Sequence, residues 1–139
     1  MESEKINVRI RRANADELEK VNAFYKSCGY YASANSEDVA FIAEDENSII
    51  GAVRLSIENE IPVLRGMFVD KKHQRKGIGK LMLFHFEKAL PNQDCYCLPY
   101  AHLLDFYGII GFRQIDKSDL PPHLRQRLEK YLADGLDMT

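Results

Sequence analysis

Hydrophobic and polar positions along the chain change their period several times, and each change marks an element. Ile6-Asn-Val-Arg-Ile-Arg alternates apolar and polar residues, the pattern of a half-buried strand. Asn14 or Asp16 can then cap a helix running to about Cys28, with Leu18, Val21, Phe24 and Tyr25 on one face. Residues 29–38 are small and polar and predict a loop or a broken short helix. Val39-Ala-Phe-Ile-Ala-Glu, the turn Asp45-Glu-Asn-Ser and the run Ile49 to Ile57 together predict a hairpin. Glu58-Asn-Glu turns into Ile61 to Val69, so three successive strands form an antiparallel meander. Pro62 in the last of them requires an edge or entry position, because proline cannot donate to a ladder.

Beyond this point the period lengthens. From Gly77 to Leu90, Ile78, Leu81, Met82, His85 and Ala89 recur at helical spacing, and Pro91-Asn ends the run. Cys95 to Leu98 predicts a short strand. A helix over about Leu103–Ile110 follows, terminated by Gly111, and then a strand at Phe112-Arg-Gln-Ile. Asp119-Leu-Pro-Pro opens a last amphipathic helix, about 120–133, with Leu124, Leu128, Tyr131 and Leu132 facing inward. Leu136-Asp-Met is a short candidate for a final strand. The order β-α-β-β-β-α-β-α-β-α holds a strand–helix–strand unit in its middle. That unit places a parallel pair inside a mixed, mostly antiparallel sheet flanked by helices, an α/β chain with an α+β-type sheet. No repeat, linker or low-complexity run interrupts it, and residues 1–139 are expected to form one domain.

Composition narrows the function rather than the fold. The 139 residues are 45% apolar and 29% charged, values of a globular protein and not of a disordered one. A net charge of −2 argues against nucleic acid as the main partner, since neutralising phosphates needs a basic surface. No stretch approaches the run of about twenty apolar residues that spans a membrane. The charged start Met1-Glu-Ser-Glu-Lys does not suit a signal peptide. Cys28, Cys95 and Cys97 are too few for a disulfide framework, and Cys95-x-Cys97 lacks the spacing of a zinc or redox site. A reducing, cytoplasmic setting is expected. His73, His85, His102 and His123 include no pair at metal-binding spacing, so no metal is expected either. His85 falls on the apolar face of its helix and reads as a hydrogen-bonded core residue, whereas His73 and His123 read as solvated.

The chemistry concentrates in Met67-Phe-Val-Asp-Lys-Lys-His-Gln-Arg-Lys-Gly-Ile-Gly-Lys80, which joins a strand to a helix start. Amides at a helix N-terminus lack internal partners, and the helix dipole adds about half a positive charge there. Gly77 and Gly79 allow close approach of the backbone to an anion. Lys71, Lys72, Arg75, Lys76 and Lys80 supply full charges, which completes the outline of a phosphate cradle. A P-loop does not fit, because Gln74 stands where its first glycine belongs and Leu81 follows Lys80. The dinucleotide fingerprint fails at Met82. On Gly77-Ile-Gly79 alone, a plain basic turn before an amphipathic helix is the better reading.

As a whole, Gln74-Arg75-Lys76-Gly77-Ile78-Gly79 resembles the acyl-CoA-binding motif Gln/Arg-x-x-Gly-x-Gly/Ala of the GNAT superfamily of N-acetyltransferases. Asp105-Phe-Tyr-Gly-Ile-Ile-Gly-Phe112 is similar to a second landmark of that family, Phe/Leu-Tyr-x-x-x-Gly-Phe. The order of elements agrees with the family from about Val8 to Ile115. The resemblance implies a GNAT-like fold with one splayed parallel strand pair, 61–69 and 95–98. It also implies acetyl-CoA as co-substrate and attack of an amine on the thioester in a ternary complex. By the same resemblance, the backbone of Met67, Phe68 and Val69 binds the pantetheine arm. The segment Gln74, Arg75, Lys76, Gly77, Ile78, Gly79 and Lys80 holds the pyrophosphate, and Tyr107 is the general acid that protonates the departing thiolate. Gly66 fits either a bulge or a plain strand position.

The chain departs from the family at two points. The strand before the loop, Val63-Leu-Arg-Gly-Met, has no carboxylate to serve as general base, and Glu58 and Glu60 read as solvated turn residues. Many members carry an asparagine before the tyrosine helix, where this chain has Tyr100-Ala-His102, which makes His102 the substitute cofactor contact. Arg65, among apolar neighbours, reads either as a partner for a substrate carboxylate or as an exposed strand arginine. The acceptor is a small-molecule or protein amine, and the C-terminal helix fits a lid over the acceptor cleft, a homodimer contact or neither role. The alternative is a non-catalytic acyl-CoA-binding regulatory module of the same fold.

Overall fold

The computed structural model describes residues 8–30, 32–90 and 94–135, in two units, Met1–Cys95 and Tyr96–Thr139. The first unit contains β1 (Val8–Arg12), α1 (Leu18–Ser27), β2 (Val39–Asp45), β3 (Ser48–Glu58), β4 (Ile61–Val69) and α2 (Ile78–Lys88). All four strands pair antiparallel in the order β1-β2-β3-β4. Both later turns are two-residue loops with left-handed central positions: Glu46 and Asn47 have φ of 50° and 77°, and Asn59 and Glu60 have 51° and 67°. Such turns twist in the same sense as the strands they join, which is why a short polar interruption suffices to reverse the chain.

β3 lies at the centre, with Ile50 to Ser56 buried throughout. Its side chains alternate between faces. Ala52 joins Val21, Phe24 and Tyr25 of α1 and Ile42 of β2 in one cluster. Gly51 points the other way, where a Cβ would lie 2.9 Å from Met82 Cε of α2. Thus α1 and α2 cover opposite faces of the sheet. α2 drives Ile78, Met82, Leu83 and Phe86 into its face, each contributing about 1.5–3 kcal/mol relative to exposure. Leu81 stays exposed, and His85 is half-buried instead of in the core, because it stands at the margin of that stripe.

Asn14, one of two candidate caps, starts the first helical segment: its N–H donates to Glu17 Oε1 at 2.9 Å across a 3-10 turn, Ala15–Glu17, that leads into α1. The loop after α1 is tied down by Asn22, whose amide accepts from Ala34 N–H at 2.8 Å and donates to Ala34 O at 3.1 Å.

The second unit contains α3 (Leu104–Gly108), preceded by a 3-10 turn at Ala101–Leu103, and α4 (Pro122–Ala133), preceded by one at Lys117–Asp119. Leu120, Leu124 and Leu128 are buried. Two strand expectations fail here. Residues 95–98 form no strand, and only isolated bridge positions occur at Tyr96 and Tyr100. Pro99, which has no N–H, directly follows the short run. Residues 112–115 form none either, since Phe112 and Ile115 do not alternate and Arg113 and Gln114 are exposed, leaving no face to bury. Among the described residues the sheet is therefore antiparallel throughout, without the expected parallel pair. Leu132 is 44% exposed, because its turn is the last before the helix stops at Ala133. The stop at Pro91-Asn92 and the candidate strand at Leu136 lie outside the described residues. The class remains mixed α/β, a four-stranded antiparallel sheet flanked by helices.

Candidate functional site

β4 is an edge of the four-stranded sheet, so one row of its N–H and C=O groups has no ladder partner within that sheet. Near its end, the Phe68 ring packs 4.9 Å from the Tyr30 ring and 6.1 Å from the Tyr25 ring, centroid to centroid. That side chain is committed to the core side, and what Phe68 offers outward is backbone. Met67 and Val69 are half-buried.

The exit from β4 is built to turn sharply. Asp70 Oδ1 accepts the Lys72 N–H at 3.3 Å, capping a 3-10 turn at Lys71–His73. Gln74 Nε2 donates to Val69 O at 3.1 Å and folds the loop back on the strand end. Arg75 then takes φ 65° and Gly77 φ 80°, both left-handed. No heavy atom lies within 4 Å of where a Gly77 Cβ would stand, so this glycine serves the backbone angle alone. The first α2 bond runs from Leu81 N–H to Gly77 O at 3.1 Å, leaving the amides of Ile78, Gly79 and Lys80 without intrahelical acceptors.

Gln74, Arg75, Lys76, Gly77 and Lys80 are exposed, and Gly79 is half-buried within the first turn of α2. The Ile78 side chain is only 2% exposed and anchors the helix in the core, and its amide is the group available to the anion. Lys71, Lys72, Arg75, Lys76 and Lys80 have no carboxylate partner among the described residues. Unpaired cations around free helix-start amides can seat a multiply charged anion, the amides supplying direction and the side chains supplying charge. His73 is not solvated as expected; it sits between Asp45 (3.6 Å) and Asp70 (3.5 Å).

Within β4, before that exit, the ladder slips. Ala52 pairs with Phe68 and Arg54 with Arg65, so Gly66 and Met67 both oppose Val53. Gly66 has φ 63°, which resolves the two sequence readings in favour of a bulge with a left-handed glycine. Beneath it lies a cluster that the sequence reading did not single out. Arg54, 1% exposed, donates from Nη2 to the Tyr30 hydroxyl at 2.9 Å and brings Nε to 3.3 Å from Asp38 Oδ2. Its guanidinium carbon stands 5.4 Å from the centroids of both the Tyr25 and Tyr30 rings. A Cβ on Gly66 would meet Arg54 Nη1 at 2.5 Å and the Tyr25 hydroxyl at 2.6 Å. Nε is thus ion-paired with Asp38, while Nη1 and the Tyr25 hydroxyl are buried side by side and interact directly. Burial pushes the Tyr25 hydroxyl up to about 12. A readable signal existed: a single arginine inside the otherwise apolar run 49–57 of a central strand has nowhere to go but the interior.

In the second unit, Tyr107 is buried between Phe106 (5.1 Å) and Phe112 (6.2 Å). Burial first, and the Cys97 thiol second, raise its pKa, which keeps the hydroxyl protonated and makes it a weaker acid than an exposed tyrosine. His102 is exposed, its ring stacked 5.9 Å from that of Tyr100. His123 is half-buried, not solvated, one turn into α4 beside buried Leu124.

The general base stays unassigned. Glu58 is not a solvated turn residue: its carboxylate pairs with Arg65 at 3.7 Å and both side chains are half-buried. That pairing also replaces both sequence readings of Arg65. Among the described residues, no group of three or more His, Cys, Asp or Glu is placed to hold a metal, and no helix is long and apolar enough to cross a membrane.

A family model described as "Acetyltransferase (GNAT) domain" matches residues 10–121. Among solved structures, a GNAT family acetyltransferase from Streptococcus pneumoniae shares 20% identity over 82% of this chain and 93% of that one, with a TM-score of 0.66. N-acetylglutamate synthase from Neisseria gonorrhoeae, complexed with coenzyme A and N-acetyl-glutamate, aligns with 98% of this chain but 34% of its own, at 18% identity and TM-score 0.67. A predicted acetyltransferase from Clostridium acetobutylicum, solved with acetyl-CoA, gives 15% identity over 78% of this chain and 92% of that one, TM-score 0.61. At these identities the likeness is one of fold. No curated protein matches the sequence.

Proposed function

The chain belongs to the GNAT acetyltransferase family, and from that premise we propose that it transfers an acetyl group from acetyl-CoA to a primary amine, as a single catalytic domain. The observation that carries this reading is the loop 71–80, where five exposed, unpaired cations surround three free helix-start amides. The backbone of Met67, Phe68 and Val69 holds the pantetheine arm, and the amides and cations of Gln74 to Lys80 hold the pyrophosphate. The relatives solved with coenzyme A and acetyl-CoA support that choice of co-substrate.

The amine nitrogen forms the new bond to the thioester carbonyl carbon as the carbon–sulfur bond breaks. Positioning supplies most of the rate. The thiolate takes its proton from Tyr107, a role assigned by the Phe-Tyr-x-x-x-Gly-Phe motif, and the proton that the amine sheds on becoming an amide replaces it through solvent. His102, exposed and stacked on Tyr100, takes the cofactor contact given elsewhere to an asparagine. Cys28, Cys95 and Cys97 form no disulfide, which fits a cytoplasmic setting. The acceptor is a small molecule or a protein amine, and a homodimer is compatible with the reading.

Calorimetric titration with acetyl-CoA tests the proposal. Saturable binding supports it, and no heat at millimolar cofactor refutes it. A screen of amines read by free-thiol release then identifies the acceptor class. A second reading, a non-catalytic acyl-CoA-binding module, is favoured by the pairing of Glu58 with Arg65, which engages one of the two carboxylates weighed as a base. Tyr107→Phe separates the two: an enzyme loses turnover and keeps cofactor affinity, whereas a module shows no turnover beforehand.

A further inference from the structure

The buried guanidinium of Arg54, its Nε ion-paired with Asp38 and its Nη1 beside the buried Tyr25 hydroxyl, crowds against one bulge in β4. Burying a charge is costly even when it is paired. Arg65 stands directly across the ladder from Arg54, so two like charges oppose each other. Gly66 adds a left-handed backbone angle. An apolar side chain at position 54 would suit this central strand at lower cost. Costs gathered at one place in a fold point to a geometry that function requires.

We infer that Arg54 is a positioning residue for acyl transfer, its guanidinium forming the flat stop against which Gly66 seats. Asp38, Tyr30 and the Tyr25 ring brace that guanidinium from the core side. The stop fixes the bulge, and the bulge fixes the direction in which the Met67 and Phe68 backbone meets a bound thioester. Arg54 touches no substrate itself: even a methyl group on Gly66 would overlap Nη1, so no ligand fits between them. The inference rests on the proposed acyl-CoA reading, in which that backbone holds the pantetheine arm.

Three variants test it: Arg54→Lys, which keeps the charge and loses the planar fork; the pair Arg54→Met with Asp38→Asn, which removes both buried charges together; and Tyr30→Phe, which removes one hydrogen bond. Calorimetry gives the affinities for coenzyme A and acetyl-CoA, and steady-state assays give kcat and KM. Coenzyme A affinity should stay within about twofold of the unmodified protein, because the diphosphate is held at residues 74–80, apart from the change. In the paired variant kcat should fall on the order of 10²-fold, the scale of a small misplacement of reacting groups, with Lys intermediate. The difference in affinity between acetyl-CoA and coenzyme A should vanish.

A folded paired variant with unchanged kcat overturns the inference. So does an equal loss of affinity for both cofactors in step with a lower Tm, which would make Arg54 merely structural. Should the paired variant fail to fold, Tyr30→Phe decides: kcat must drop at unchanged coenzyme A affinity, and an unchanged kcat overturns the inference. If the unmodified protein binds neither cofactor, the acyl-CoA reading itself falls and takes this inference with it, an outcome distinct from all the others.

Discussion

In the interior of β4, Gly66 lies over a guanidinium that is 1% exposed; past its last residue, the strand runs into a loop whose five cations stand in water. The two places share a left-handed glycine and positive charge. They differ in surroundings. Around Gly77 nothing lies within 4 Å of a would-be Cβ, whereas around Gly66 two polar atoms lie within 2.6 Å. Charge at the loop keeps its hydration and is ready for an anion. Charge at the bulge has lost its water, and its neighbours must replace that water. The loop is suited to binding and the bulge to holding shape.

The sharpest way to break this comparison is to remove the buried charge alone. Arg54→Met leaves the Asp38 carboxylate, 4% exposed, without its cation, and should destabilise the fold by about 3–5 kcal/mol in urea unfolding. Adding Asp38→Asn should restore part of the loss. A single-variant change below about 1 kcal/mol would mean that the cluster is not the buried ion pair described here.

The glycines come next. Gly66→Ala meets both a left-handed backbone, about 1–2 kcal/mol, and overlap with Arg54 and Tyr25, about 1–3 kcal/mol. Gly77→Ala meets only the first. The difference between the two measured by denaturant unfolding isolates the overlap; equal losses would show that the bulge is not pressed on the guanidinium.

At the loop, charge should matter to ligand and hardly at all to fold. Arg75→Ala with Lys76→Ala should shift stability by no more than about 0.5 kcal/mol. It should weaken coenzyme A binding by about tenfold at low salt, with the gap narrowing as ionic strength rises. A salt-independent effect would show that these side chains act through structure.

This contrast also explains what the sequence disclosed. The meander, both helices of the first unit and the basic turn at 74–80 were legible, because periodicity, turn residues and clustered exposed charge are local signals. Asn14 as cap and Gly66 as a bulge candidate were visible for the same reason. The Arg54 cluster was not: its partners Tyr25, Tyr30 and Asp38 come from α1 and the following loop, and only folding brings them to β3. The strands expected at 95–98 and 112–115 failed for the opposite reason. Each is a short apolar run that fits a strand locally, and nothing in four residues shows whether a ladder partner exists.

A third arrangement of charge, intermediate between the bulge and the loop, supplies the smallest effect and calibrates the other two. Arg11 on β1 donates from Nη1 to Glu17 Oε1 at 2.7 Å and from Nε to Glu44 Oε1 at 2.7 Å, all three side chains being half-buried. The hydrogen bonds from Arg11 foremost, and then the Asn14 N–H, hold the Glu17 carboxyl at about 2, below its ordinary 4.5. A carboxyl depressed in the folded state binds fewer protons there than when unfolded. Its contribution to stability is therefore complete above about pH 4.5 and disappears as pH falls toward about 2. Glu17→Gln should lower stability by no more than about 1 kcal/mol near neutrality, as half-exposed pairs do. Urea unfolding of both proteins at a series of pH values should show that gap closing on acidification. A gap that persists at about pH 2.5 would mean that the carboxylate is not what Arg11 holds, and that shape and not charge joins β1 to the first helical turn.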